Sequence, residues 1–255
     1  MIYQKQSRFS EGERLAKRAL AINEKVFGPA HHTVANSLFV LAVLYQEQGH
    51  TGEAEPLLKR ALSIYENALG ADHPTVAPLL LILSRNYMAG GRSDEAAPLM
   101  ERALAIFEKA YGPEHFNVAN SLESLAMLYQ VQGRLDEAEP LMKRALAISE
   151  KTFGLDAPSV ADSLIFLVML YHAQDLIDDA LPLMKRALLI QEQALGPDNI
   201  ATSLGTLGMQ YVAQDRFDEA EPLLKRSLAI NERAGVGWTM RSGKGSSVRH
   251  GARNF

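Results

Sequence analysis

Side chains that could carry out catalysis are few in this sequence, and they do not converge on one place. The chain has seven histidines and no cysteine, which excludes a thiol nucleophile, a thiolate metal site and disulfides. Neither a His-Glu-x-x-His nor a Gly-x-Ser-x-Gly pattern occurs. The adjacent His31 and His32 would point apart on a helix, so they are poorly placed to share a metal ion. We therefore expect no catalytic site, no metal and no cofactor.

One short segment has the composition of a phosphate-binding loop. Residues 242–246 read Ser-Gly-Lys-Gly-Ser, but Trp238 stands where the loop needs a glycine, five residues before Gly243. No strand is expected to precede it either, so we reject this interpretation. His172 is the non-repeating histidine on the expected binding surface, where a polar contact suits it better than metal ligation.

The composition and charge argue against nucleic acid and membrane partners. The net charge is −4, yet the last 22 residues contain four bases and no acid, which leaves 22 bases against 30 acids in the rest. Nucleic-acid binding depends on clustered lysine and arginine, and this acidic body lacks them. No apolar run approaches the roughly 18 residues of a membrane span. The polar start lacks the apolar stretch of a signal peptide, so we expect a cytoplasmic protein.

The strongest pattern is a twelve-residue phrase that occurs six times. Successive copies begin 42 residues apart four times and then 40 residues apart, and they read EGERLAKRALAI from Glu11, EAEPLLKRALSI from Glu53, EAAPLMERALAI from Glu95, EAEPLMKRALAI from Glu137, DALPLMKRALLI from Asp179 and EAEPLLKRSLAI from Glu219. A period of this length indicates a solenoid, in which each unit buries its apolar face only against its neighbours.

Each period contains two amphipathic helices. In the first, from Thr33 to Gly49, apolar residues recur at steps of three and four. The phrase itself forms the second helix, with Asp94 and Asp136 among its expected N-caps and glycines such as Gly70 at its end. Alanines that recur once per unit, such as Ala54 and Ala61, are expected where helices touch closely. We interpret residues repeated in every unit as scaffold.

These residues resemble the tetratricopeptide repeat. The residues that match its signature are Leu38, Leu41, Ala42, Tyr45, Gly49, Ala54, Leu58 and Ala61. The 42-residue unit and the phrase EAEPLLKRALAI are similar to the repeats of kinesin light chains and their bacterial relatives. The resemblance implies an all-α protein, a right-handed α-α superhelix of antiparallel helix pairs. First helices would line a concave groove, and second helices would form the convex back.

The alignment gives five full helix pairs and a leading half repeat. The solenoid is expected over residues 1–233, in units of about 1–28, 29–70, 71–112, 113–154, 155–196 and 197–233, followed by a flexible basic tail at 234–255. Tyr3, Gln4 and Gln6 align with Tyr45, Gln46 and Gln48, which places the start of the chain in the last turns of a first helix. Neither end has an obvious polar cap, and open ends favour self-association.

If the scaffold is what repeats, function is expected where the copies differ on the groove side of the first helices. The family alignment gives this surface, here named the first-helix face. Its candidate binding residues are Asn36, Phe39, Val43 and Gln46 in the first full unit, Leu81, Arg85 and Met88 in the second, Asn120, Glu123, Met127 and Gln130 in the third, Asp162, Ile165, Met169 and His172 in the fourth, and Met209 in the fifth.

The first-helix face is mostly apolar or neutral. Arg85 is its only base, so the lysine and asparagine clamp of chaperone-binding relatives is absent, as are the paired asparagines of kinesin light chains. Methionine is adaptable and frequent on binding surfaces. We expect a non-enzymatic scaffold that binds an apolar or amphipathic peptide or helix of a partner protein, with basic flanks suiting the acidic body. The alternative is a structural module that assembles through its ends.

Overall fold

The computed structural model describes the backbone of residues 2–196 and 200–233, and the side chains of residues 9–194, 196 and 200–233. Its described part contains eleven helices and no strand, which confirms the all-α prediction: α1 (Ile2–Phe27), α2 (His32–Glu47), α3 (Thr51–Leu69), α4 (Val76–Ala89), α5 (Ser93–Tyr111), α6 (Phe116–Val131), α7 (Leu135–Phe153), α8 (Pro158–Ala173), α9 (Ile177–Leu195), α10 (Ala201–Ala213) and α11 (Phe217–Arg233). The chain divides into two compact units, Met1–Ala194 and Leu195–Phe255.

The helices follow the predicted order of one leading helix and five pairs. In the first compact unit each helix from α1 to α7 packs against the one that follows it, and in the second compact unit α10 packs against α11. The pair α8 and α9 shares a cluster that includes Leu164, Ala187 and Ile190. The limits of the sequence repeats stay predictions, and the expected tail lies outside the described residues.

The repeated small residues lie in the core, as predicted. One alanine per unit follows the start of the second helix, and another lies two turns later. Both sets are almost fully buried: Ala54, Ala96, Ala138, Ala180 and Ala220 in one, and Ala61, Ala103, Ala145 and Ala187 in the other. A larger side chain at these positions would force the helices apart, because protein interiors are close-packed.

The ends of the second helices agree with the sequence more closely than their starts do. Gly70 and Gly112 end α3 and α5 with φ of 94° and 86°, as a glycine stop predicts. The expected N-caps are wrong, because Arg92 caps α5 and Asp94 lies inside its first turn. Gly91, with φ of 75°, already reverses the chain before Arg92, so the helix starts earlier. An acid in the first turn still interacts favourably with the helix dipole.

The turn between the two helices of a pair requires a left-handed residue. Glycine fills it at Gly49, Gly91 and Gly133, with φ of 77°, 75° and 74°. In the next two units aspartates take over, Asp175 with φ of 61° and Asp215 with φ of 58°. Asp tolerates this region better than most residues, but its Cβ is still strained there.

Arginine side chains tie consecutive second helices together. Arg60 pairs with Glu24 at 2.6 Å and Arg102 with Glu66 at 2.7 Å, and the same arginines donate to loop carbonyl oxygens. Equivalent pairs join Arg144 to Glu108 and Arg186 to Glu150. The arginine of the repeated phrase therefore links consecutive second helices from α1 to α9.

The first helix corrects one expectation. α1 runs unbroken from Ile2 to Phe27, whereas the alignment placed Tyr3 to Gln6 in a separate preceding helix. Ser7 occupies the position of Gly49. Serine adopts the left-handed region less readily than the glycines and aspartates that make this turn in later repeats, and here the backbone continues as a helix.

Candidate functional site

The first-helix face is built from positions spaced by three, four and three residues. In α2 these are Asn36, Phe39, Val43 and Gln46, and this spacing puts all four on one side of a helix. Of the sixteen candidate residues, none is buried. Asn36, Arg85, Asn120, Met127, Asp162, Met169, His172 and Met209 are exposed, and Phe39, Val43, Gln46, Leu81, Met88, Glu123, Gln130 and Ile165 are half-buried.

The three methionines of this face are among the more exposed large apolar side chains. Met127 and Met169 in the first compact unit are 47% and 52% exposed, and Met209 in the second compact unit is 59% exposed. The same helices bury large neighbours such as Leu128 and Leu170 completely. The exposure of the methionines is therefore selective, because α6 and α8 bury their core side and leave Met127 and Met169 outside it, beside polar side chains.

A cleft of about 350 Å³ lies on this face between α2 and α4. Its lining brings together three candidate residues, Val43, Gln46 and Arg85, with Glu47, Gly49, Thr51, Ile82 and Ala89. Asn36 does not belong to it. That residue lines a second cleft of about 310 Å³ between α1 and α2, and its Oδ1 accepts a hydrogen bond from the Tyr65 hydroxyl on α3.

A buried amide network holds one wall of the α2–α4 cleft. The Gln46 side chain donates to the Ile82 carbonyl oxygen and to Asn86 Oδ1, both at 3.2 Å. Asn86 is 2% exposed and donates to the Thr51 carbonyl oxygen at 3.0 Å. Sequence reasoning missed Asn86. The available signal was an asparagine where the flanking units have leucine, at Leu44 and Leu128.

Arg85 is the cation of the cleft. It is exposed, and within the described residues no acidic side chain pairs with it. The equivalent residues in the first, third and fourth full units are Val43, Met127 and Met169. A charge at a position otherwise apolar, with no partner of its own, is available to a ligand.

Two carboxylates follow on the next first helices. Glu123 on α6 accepts a hydrogen bond from the Ser163 hydroxyl on α8, at 2.5 Å. Burial raises the pKa of the Glu123 carboxyl, the charge of Asp162 also raises it, and the Ser163 hydrogen bond acts in the opposite direction. Asp162 itself is exposed. The two carboxylates thus lie close enough to interact.

Histidines elsewhere shape loops. His31 and His115 are the N-caps of α2 and α6, and each imidazole accepts from the backbone N–H two residues on, at 3.3 Å and 3.2 Å. In the described part of the chain, no three histidine or acidic side chains are grouped as metal ligands would be. Its helices also lack the combination of length and apolarity that crossing a membrane requires.

The family model that matches is the tetratricopeptide repeat. It matches five times, over residues 1–67, 52–109, 75–151, 117–187 and 159–233. A search of curated proteins finds no match.

Solved structures with the same arrangement come from several sources. A putative kinesin light chain with nearly identical TPR-like repeats from Podosopora anserina is 31% identical, with a TM-score of 0.71 over 83% of this chain and 99% of that one. BtubC (BKLC) from P. vanneervenii is 24% identical, with a TM-score of 0.77 over 97% of each chain. Aspartyl phosphate phosphatase F from Bacillus subtilis is 15% identical, with a TM-score of 0.68 over 85% of this chain and 55% of that one. The last two show the fold alone.

Proposed function

Because the chain belongs to the tetratricopeptide repeat family, we propose that it is a non-enzymatic scaffold that binds a peptide or helix of a partner protein on its first-helix face. The family fixes the scaffold, while the bound segment must be inferred from the side chains, since a fold does not by itself determine a site. The occupant proposed is an amphipathic segment whose apolar side chains meet the uncovered apolar residues of α2, α4, α6 and α8.

The observation that carries this proposal is the uncovered apolar surface on the first helices. Met127 and Met169 are about half exposed, and Phe39, Leu81 and Ile165 pack against the buried clusters but remain partly exposed. Exposed apolar side chains, and adaptable methionines above all, are typical of surfaces that bind peptides. An amphipathic segment would remove these side chains from water, and apolar burial would supply most of its affinity.

The test is a random-peptide display selection on the purified chain, run beside two variants. In Ile165→Glu/Met169→Glu, two charges enter the first-helix face. In Leu189→Glu, the charge enters α9 at a residue that is 56% exposed and lies outside that face. We expect a consensus that the parent and Leu189→Glu enrich and the double variant loses. Selection of no consensus, or of one that survives in the double variant, would overturn the proposal.

The alternative of self-assembly has a specific observation in α1. Leu15 and Ile22 are 52% and 51% exposed, whereas Ile64, which occupies the position of Ile22 one unit later, is 6% exposed. A helix from a second copy could cover this face. Sedimentation of the parent and of Ile22→Glu would test it, because assembly through α1 predicts a concentration-dependent oligomer that Ile22→Glu converts to monomer. Ile165→Glu/Met169→Glu should leave that oligomer intact.

The remaining proposals concern partners and location. The acidic body argues against nucleic acid as a partner, and we propose a protein or peptide partner instead. A cytoplasmic location stays a prediction, which fractionation of cells expressing a tagged chain would check.

A further inference from the structure

The charged residues of the first-helix face, Arg85, Glu123 and Asp162, lie on one diagonal row that begins at Gln46. The other members of this face are apolar or carry neutral polar side chains. Each first helix has four positions on that face, and in α4 the first of them is Pro78. Gln46 is the fourth position in α2, Arg85 the third in α4, Glu123 the second in α6 and Asp162 the first in α8. Each step along the row moves to the next first helix and one turn towards its N-terminus. All four residues belong to the first compact unit.

Contacts between first helices show that the row crosses packed neighbours. Gln46 on α2 donates to the Ile82 carbonyl oxygen on α4, and Ser163 on α8 donates to Glu123 on α6. First helices one unit apart are therefore in contact at both ends of the row.

The charges along the row are not neutralised within the described residues. Neither Arg85 nor Asp162 forms an ion pair with a described side chain, and Glu123 has the Ser163 hydroxyl as its partner. The second helices behave differently, since Arg60 and Arg102 there pair with glutamates of the preceding unit. These two arginines thus have acidic partners within the chain, whereas Arg85 and Asp162 have no ion pair with a described side chain.

Apolar side chains flank the row on both sides. Leu81 and Ile165 are half-buried, and Met127 and Met169 are about half exposed. A ligand on the row would thus meet charged side chains along its middle and apolar ones beside them. That arrangement favours a segment with both kinds of side chain over a purely apolar one.

We infer that the bound segment lies along this row and carries an acidic side chain opposite Arg85 and basic side chains opposite Glu123 and Asp162. This inference rests on the proposed function and specifies its partner. Since the sign of the row changes between α4 and α6, only one direction of the segment pairs opposite charges. The row therefore fixes the orientation of the ligand as well as its composition.

The length of the row sets the spacing of these ligand residues. Neighbouring helices lie up to about 10 Å apart and one turn advances about 5.4 Å, so each step is about 11 Å. The distance from Arg85 to Asp162 is then about 22 Å, which an extended chain at about 3.3 Å per residue covers in about seven residues. The expected pattern is an acid, a base three or four residues later, and a second base about three residues beyond it.

The experiment is a random-peptide display selection on the parent and on charge variants of the row. Arg85→Glu should replace the selected acid by a base, and Glu123→Gln/Asp162→Asn should remove the preference for bases further along. Arg14→Glu is the control, because Arg14 is exposed on α1 and lies outside the row. Peptides synthesised from the parent consensus should lose about tenfold in affinity for Arg85→Glu, and less in high salt, which screens exposed charges.

The outcomes separate this inference from the proposed function. A consensus that disappears with Ile165→Glu/Met169→Glu but has no charge pattern, or does not change with Arg85→Glu, would refute binding along the diagonal row. It would still support the first-helix face as the binding surface. The absence of any consensus would overturn both. Circular dichroism of each variant, compared with the parent, shows that a loss of binding does not come from unfolding.

Discussion

Removing one arginine that links consecutive second helices should lower stability by an amount that the structure allows us to work out. The Arg102 side chain forms an ion pair with Glu66 at 2.7 Å and donates to the Ala71 carbonyl oxygen at 2.6 Å. Arg102→Ala removes both contacts. The change is confined to one link between units, because equivalent arginines hold the other links.

The magnitude follows from the exposure of the pair. The Arg102 and Glu66 side chains are 34% and 29% exposed, so the pair is screened by solvent and contributes about 0.5–1 kcal/mol. The hydrogen bond to the carbonyl oxygen adds about 1 kcal/mol. We expect Arg102→Ala to reduce the free energy of unfolding by about 1.5–2 kcal/mol. Arg102→Lys should lose about half of that, because an ammonium group lacks the planar fork that reaches both partners.

The assay is urea unfolding followed by circular dichroism, with Arg18→Ala as the matched control. Arg18 occupies the same place in the repeated phrase as Arg102, but it has no ion pair among the described residues. Its removal should change stability by less than about 0.5 kcal/mol. In about 1 M salt the effect of Arg102→Ala should shrink towards the share of the carbonyl hydrogen bond. Equal losses for the two variants would refute the assignment of this arginine as a link between units.

Two further predictions concern backbone strain at Asp175 and the charge of Glu123, both in the first compact unit. Asp175→Gly should raise the free energy of unfolding in urea by about 0.5–1 kcal/mol, because it relieves the strain of an aspartate with left-handed backbone. Gly133→Asp, at the equivalent position one repeat earlier, should lower it. If neither substitution changes stability, Asp175 is not strained. Glu123→Gln should be more stable than the parent at neutral pH and equally stable in acid. Burial raises the pKa of the Glu123 carboxyl in the folded protein above its value in the unfolded chain, so the ionised carboxylate destabilises the fold at a pH above the folded-state pKa. At a pH below both pKa values the carboxyl is protonated in both states, and the effect disappears. Thermal unfolding of both proteins across this pH range would check the convergence, and a constant difference would contradict it.

The sequence predicts most of the fold because each unit repeats the same local code. Close packing requires a small residue such as Ala61 where helices touch, and a left-handed helix end requires a glycine such as Gly70. Both requirements can therefore be recognised from the residue type. The N-caps were wrong by two residues because the turn at Gly91, not the aspartate, sets where α5 begins. The unbroken α1 was missed although the sequence contained a signal for it, because Ser7 stands where Gly49 makes the turn one repeat later.

The candidate site was less predictable, because it depends on contacts between units. Helical periodicity places Arg85 and Glu123 on one face of their helices. It does not show that Gln46 is held by Asn86 across the α2–α4 cleft, nor that Ser163 reaches Glu123 from the next unit. Such contacts depend on how consecutive units pack, which period and residue type alone do not specify.

The central claim is that the first-helix face binds a segment of a partner, and equilibrium titration tests it most directly. The peptide selected by the parent chain would be fluorescently labelled and titrated with the parent, with Ile165→Glu/Met169→Glu and with Leu189→Glu. The account predicts saturable binding to the parent and to Leu189→Glu, and loss of binding to the double variant. Equal binding to all three proteins would contradict it.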